Sequence, residues 1–172
     1  LGPAGWGTGA IATKGLAGDG YVELTVSDLT TERWFGLGHA ATSPDYRRAD
    51  FAFSLNAARL EICELGRCRR ASGDLVSGDR LRVSVRDGAV QFVRNGVVLC
   101  SSAVAPNYPL LVAAGLYSPG ATLAGVTIGG EVAPVAVATP TVSPSTGHLE
   151  APQAVLISLA DPEAVIHFTL DG

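Results

Sequence analysis

The sequence predicts an all-β protein, an antiparallel sandwich or barrel, on three observations. Leu81, Val83 and Val85 alternate with Arg82, Ser84 and Arg86, the period of two that a sheet shows when one face is buried and the other wet. Asp87-Gly88 and Asn95-Gly96 then supply the positive-φ pairs that two-residue hairpin loops require, so residues 78–99 read as a three-stranded meander. Elsewhere short apolar runs are separated by Gly, Asp, Asn, Pro and Ser, and no segment sustains a helical period.

In chain order the strand candidates are 10–12, 21–27, 34–39, 51–55, 59–63, 68–71, 81–85, 89–94, 97–101, 110–115 and 121–128. The glycine-rich TKGLAGDG at 13–20 separates the first two. Between 59–63 and 68–71, a turn at Leu65-Gly66 pairs Glu64 with Arg67 and sets Cys63 opposite Cys68. Facing positions of this kind lie about 4.5 Å apart at Cα, close enough for a disulfide. The pair reads as a bridge in an oxidising, extracytoplasmic compartment, or else as two facing thiols. Pairing across Asn95-Gly96 places Cys100 opposite Gln91, on the face away from Phe92 and Leu99, as an inert half-buried thiol.

From Gly129 the texture changes to GGEVAPVAVATPTVSPSTG, which reads as a proline-rich spacer. The expected organisation is a β-domain at 1–128, a linker at 129–138 and a partial unit at 139–172. That last unit carries strands at 154–159 and 164–169 and ends on a turn. It is too short to bury a core alone. The opening LGPAGWGTG and the lack of methionine read as an excised piece.

Composition excludes several classes. A net charge of −4 and a pI near 5.3 argue against nucleic acid and anionic membranes, which want a basic surface. No run reaches the roughly 20 apolar residues of a membrane span, so no membrane insertion is expected.

The tract Gly7-Thr8-Gly9-Ala10-Ile11-Ala12 matches a dinucleotide fingerprint in letters, but the TKGLAGDG after it cannot open a helix, so no cofactor is expected. Glu61 and Glu64 are three apart and point to opposite faces, and Glu23 is isolated, so the paired carboxylates of a glycosidase are not visible. His39, His148 and His167 lack metal-ligand spacing, and no metal is expected. The richest loop is 42–50, where Asp45, Tyr46, Arg47 and Asp50 could grip a sugar, set against the plainer reading of a solvated loop. Trp34 and Tyr108 are further candidate platforms, as against core filling.

Two resemblances sharpen this. The run GDRLRVSV, the DGAVQFVRNGVVL hairpins and YPLLVAAGLYSPGATL, with GDGYVELTV and ADFAF upstream, resemble a bacterial SPRY-type or concanavalin-like jelly-roll domain over about residues 1–128. Pro140, Ser143, Pro144, Gly147, Pro152, Gln153, Val155, Ile166, Phe168, Asp171 and Gly172 are similar to the start of a chitobiase or hexosaminidase C-terminal type of immunoglobulin-like repeat. Phe168 departs from that family's more usual Tyr. The resemblances imply a jelly-roll or concanavalin-like β-sandwich, whose relatives usually begin one strand before Leu1, joined to a partial Ig-like sandwich. By the same token they imply a non-catalytic binding or adhesion module of a secreted multi-domain bacterial protein, contacting a glycan or a surface protein through its loops. The alternatives are structural spacer modules, or an accessory region of a glycoside hydrolase whose catalytic domain lies elsewhere. An unpaired sheet edge would also permit self-association.

Overall fold

The computed structural model describes residues 4–39, 49–134, 141–143 and 156–158. In chain order the first unit holds β1 (Thr8–Thr25), β2 (Glu32–Gly38), β3 (Phe51–Asn56), β4 (Arg59–Glu64), β5 (Arg67–Arg70), β6 (Arg80–Arg86), β7 (Ala89–Arg94), β8 (Val97–Ser101), β9 (Leu110–Leu116) and β10 (Thr127–Pro134). All their pairings are antiparallel, in the order β5-β4-β3-β2-β9-β1-β6-β7-β8, with β10 on β1.

This ladder is folded over into two layers. The rings of Phe53 on β3 and Phe92 on β7 meet edge to face with centroids 5.3 Å apart. In a flat sheet those strands would be five steps apart, about 24 Å at about 4.8 Å per step. The fold-over happens in β1, whose first half, Thr8–Leu16, pairs with β9 and whose second half, Gly20–Thr25, pairs with β6. β10 follows β1 through the bend, with an irregularity in register between Leu16 and Gly20. The first layer is therefore β5-β4-β3-β2-β9 with the front half of β1, and the second is the rear half of β1 with β6-β7-β8. The result is an all-β jelly-roll sandwich.

The stretch TKGLAGDG is thus the bend of one continuous strand and not a loop between two, a correction to the sequence expectation. Glycine permits it because the backbones touch: a Cβ on Gly130, whose φ is 105°, would lie 2.3 Å from the Cα of Gly20. A second correction concerns 121–128. The strand begins only at Thr127 and runs to Pro134, through the start of the expected linker, because Gly129 and Gly130 lie against β1 as ladder residues.

Alternation then sorts side chains between the layers. Leu24, Phe35, Leu37, Phe53, Leu55, Ile62, Leu81, Val83 and Phe92 all point inward and are at most 2% exposed. Each large side chain so buried contributes roughly 1.5–3 kcal/mol of transfer free energy. The hairpins close as their sequences require, with φ of 48° and 77° at Leu65 and Gly66, 51° and 71° at Asp87 and Gly88, and 52° and 83° at Asn95 and Gly96.

The third hairpin holds another correction. Cys100 pairs with Phe92, not Gln91, because the register slips between Phe92 and Val93 and the extra residue, Leu99, is absorbed as a bulge. The slip turns Cys100 toward the core, where it packs against the buried cluster. At the far edge of the first layer, all four residues of β5 are exposed, and Arg67, Arg69 and Arg70 put charge along it.

The second unit spans Ala136–Gly172. Its described part is a two-stranded ladder, β11 (Thr141–Ser143) with β12 (Leu156–Ser158), in which Thr141 faces Ser158. The strand expected at 164–169 lies outside the described residues.

Candidate functional site

The two layers present different outer faces. That of the first layer is closed by a second apolar cluster, in which Trp34, Ala49, Ala52, Cys63 and Ala113 are buried and Trp6 and Leu111 pack against them. The outer face of the second layer carries a polar groove of about 620 Å³. The period of two delivers its lining: with Val22, Leu24, Leu81, Val83 and Val85 inside, Tyr21 and Glu23 of β1 and Arg80, Arg82, Ser84 and Arg86 of β6 face out. β7 and its hairpin add Gln91, Val93, Asn95 and Val98.

Glu23 organises the floor. Its Oε1 accepts from Arg80 Nε at 3.1 Å and Nη2 at 2.8 Å, and its Oε2 accepts from Arg82 Nε at 2.8 Å. Partial burial alone would push its pKa up, but the hydrogen bonds and charges of the two arginines outweigh that and hold it below 4.5. Arg82 is fixed a second time, its guanidinium carbon 3.9 Å from the centroid of the Tyr21 ring. At one end Asp19 accepts the Asp87 amide at 2.9 Å. At the other, Asn95 accepts the Arg80 amide at 2.8 Å and donates to Asp79 at 2.7 Å.

Among the described residues, none of those singled out from sequence lines this groove. Asp45, Tyr46 and Arg47 lie outside the described residues. Asp50 is buried and serves the backbone, its Oδ2 receiving the His39 amide at 2.9 Å and lying 2.7 Å from His39 Nδ1. Trp34 is fully buried in the outer cluster of the first layer. Tyr108 is 37% exposed just ahead of β9, its phenol pKa raised by burial and then by the charges of Asp19 and Glu131. Cys63 and Cys68 face each other across β4 and β5, and a disulfide joins them.

The groove residues were within reach of the sequence argument. The same alternation that marks Leu81, Val83 and Val85 as core marks Arg80, Arg82, Ser84 and Arg86 as one outward row. What it could not supply was Tyr21 and Glu23, which reach that row only through the β1–β6 pairing.

Chemically, the arrangement is suited to binding. A carboxylate locked between two guanidiniums is a poor proton donor, and rigid strand-borne polar groups fix the orientation of whatever they hold.

No known family profile and no curated protein matches the chain. Among solved structures, the chain is similar to sheep galectin-11 in complex with glycerol, with 12% sequence identity and a TM-score of 0.41 over 74% of this chain and 98% of that one. No family assignment rests on it.

Proposed function

We propose that this chain is a non-catalytic glycan-binding module of a secreted multi-domain bacterial surface protein, and that it meets its ligand on the outer face of the second layer. The observation that carries this reading is the Glu23–Arg80–Arg82–Tyr21 constellation: preorganised hydrogen-bonding side chains on rigid strands, beside the apolar Val93 and Val98, in an open groove. Saccharides present that mixture, hydroxyls around the ring edge and C–H groups on its faces. On this reading the ligand meets a sheet face instead of the loops. The disulfide supports an oxidising compartment. The SPRY-like and chitobiase-repeat-like patterns of the sequence support a modular surface protein.

The test is a glycan array and polysaccharide titration with the full chain, repeated with Tyr21→Ala and Arg82→Ala. Binding at micromolar to millimolar concentration that falls at least about tenfold in either variant supports the reading, that being the usual effect of losing one charge-assisted contact. Failure of every saccharide to bind at millimolar concentration overturns it.

A further inference from the structure

Resting on that reading, we infer that the saccharide held in this groove carries an acidic substituent, a carboxylate or a sulfate ester, gripped end-on by the guanidinium of Arg82. The argument is an inventory of donors and acceptors. Among the lining residues, three arginines, Arg80, Arg82 and Arg86, stand against two carboxylates, Asp19 and Glu23, in a chain whose net charge is −4. The acceptors are largely committed: Glu23 takes three hydrogen bonds from Arg80 and Arg82, Asp19 takes the Asp87 amide, and the Asn95 oxygen takes the Arg80 amide.

The donors are not. Arg82 spends only Nε on Glu23, and no described residue accepts from its Nη1 or Nη2. Arg80 keeps Nη1, and Arg86 keeps its whole fork. A neutral sugar hydroxyl brings a donor with every acceptor, whereas a carboxylate or sulfate brings acceptors alone. The surplus therefore matches the acidic ligand.

Geometry favours Arg82 as the anchor. Its guanidinium is held at Nε by Glu23 and over its face by Tyr21, while its two Nη groups make no hydrogen bond to a described residue. A planar fork fixed in this way engages two oxygens of an oxyanion with little ordering left to lose. Glu23 thus acts as a positioning residue, and Ser84 and Gln91 remain beside it for neighbouring hydroxyls.

The experiment is calorimetric titration of the full chain with dextran, polygalacturonate, dextran sulfate and poly-L-glutamate in 0.15 M salt. Expected is binding of polygalacturonate or dextran sulfate at least about tenfold tighter than dextran, the arm that wins distinguishing carboxylate from sulfate. Arg82→Lys keeps the charge but removes the fork, and should lower acidic-polysaccharide affinity about tenfold, narrowing the gap to dextran. Arg70→Ala, on β5 and away from the groove, should change neither. Equal affinity for dextran and the acidic polymers overturns this inference and leaves the glycan-binding reading standing. Absence of binding to all three polysaccharides overturns this inference, and the glycan array then decides the reading itself. Poly-L-glutamate binding as tightly as the acidic polysaccharides, or Arg82→Lys binding as wild type, overturns the inference by showing a diffuse attraction for anions.

Discussion

Arg94, the last residue of β7, donates from Nη2 to Oδ2 of Asp79 at 2.6 Å, closing one end of the sandwich. Asp79 is 3% exposed and has no idle oxygen: Oδ2 also accepts the Val76 amide at 2.9 Å, and Oδ1 accepts Asn95 Nδ2 at 2.7 Å. Its backbone carbonyl in turn accepts the Val26 amide at 2.8 Å. One carboxylate thus ties the entry of β6 to the turn after β7. Removing Arg94 strands a buried charge, so Arg94→Ala should cost about 3 kcal/mol in urea denaturation and Asp79→Ala a similar amount. The double variant should lose much less than the sum, since the two act as a unit. Single-variant losses below about 0.5 kcal/mol, the scale of an exposed ion pair, would remove this clasp from the account.

The acid limb of stability should be steep. Asp28 is held at a pKa of about 2, chiefly by the Thr31 hydroxyl, against the cost of burial, with further help from Thr30 and the charge of Arg33. Asp79 and Glu23 are also lowered. A carboxylate with a depressed native pKa stabilises the fold fully above its unfolded pKa, and that contribution drains as pH falls toward the native value. Unfolding free energy should therefore drop between about pH 4.5 and pH 2. Asp28→Asn should remove on the order of 1–2 kcal/mol at pH 7 and flatten this limb. Glu32 works in the opposite sense, raised by burial and then by the nearby charge of Glu61. It favours the fold below its unfolded pKa and ceases to as pH rises past the native one. Urea midpoints at several pH values for wild type, Asp28→Asn and Glu32→Gln check both signs.

How legible each feature is in the sequence depends on how locally it is determined. The Asp87-Gly88 and Asn95-Gly96 hairpins are written within four residues each, and their strands need no distant information. The bend in β1 is not local. TKGLAGDG reads as a loop because glycines weaken a strand in isolation, and only contact with Gly129 and Gly130, more than a hundred residues later in the chain, shows those glycines making room for another backbone. The bulge at Leu99 is similar: a slip of one residue reverses which face Cys100 occupies, and alternation carries no mark of it. At the site, the outward arginine row was legible and its partners on β1 were not, since pairing between distant strands is a tertiary fact.

The β4–β5 hairpin offers a stabilising change beside a destabilising one. Leu65 adopts φ 48° while 55% exposed, so its side chain strains the turn and gains little from burial. Leu65→Asn, a residue that tolerates this region, should raise stability by about 0.5–1 kcal/mol. Opening the Cys63–Cys68 bridge in Cys63→Ser/Cys68→Ser should lower it by about 2 kcal/mol, modest because the loop enclosed is short. Urea midpoints with and without reductant separate the two effects. A Leu65→Asn variant less stable than wild type would mean that the leucine makes contacts that outweigh its backbone cost.

Gly129 links the sandwich to the groove. It stands opposite Tyr21 in the β1–β10 ladder, and a Cβ there would lie 2.8 Å from Cε1, Cζ and Oη of the Tyr21 ring. The ring is rigid, so Gly129→Ala must displace it, at about 1–2 kcal/mol of overpacking. Arg82 then loses the aromatic face that holds its guanidinium, although no charge in the groove has been altered. Saccharide affinity should fall severalfold, about the value of one cation–π contact, while Arg82→Ala in the same background adds less than it does in wild type. Near-ultraviolet circular dichroism reports the tyrosine displacement independently of ligand. A displaced Tyr21 signal with unchanged saccharide affinity would show that Glu23 alone is enough to position Arg82.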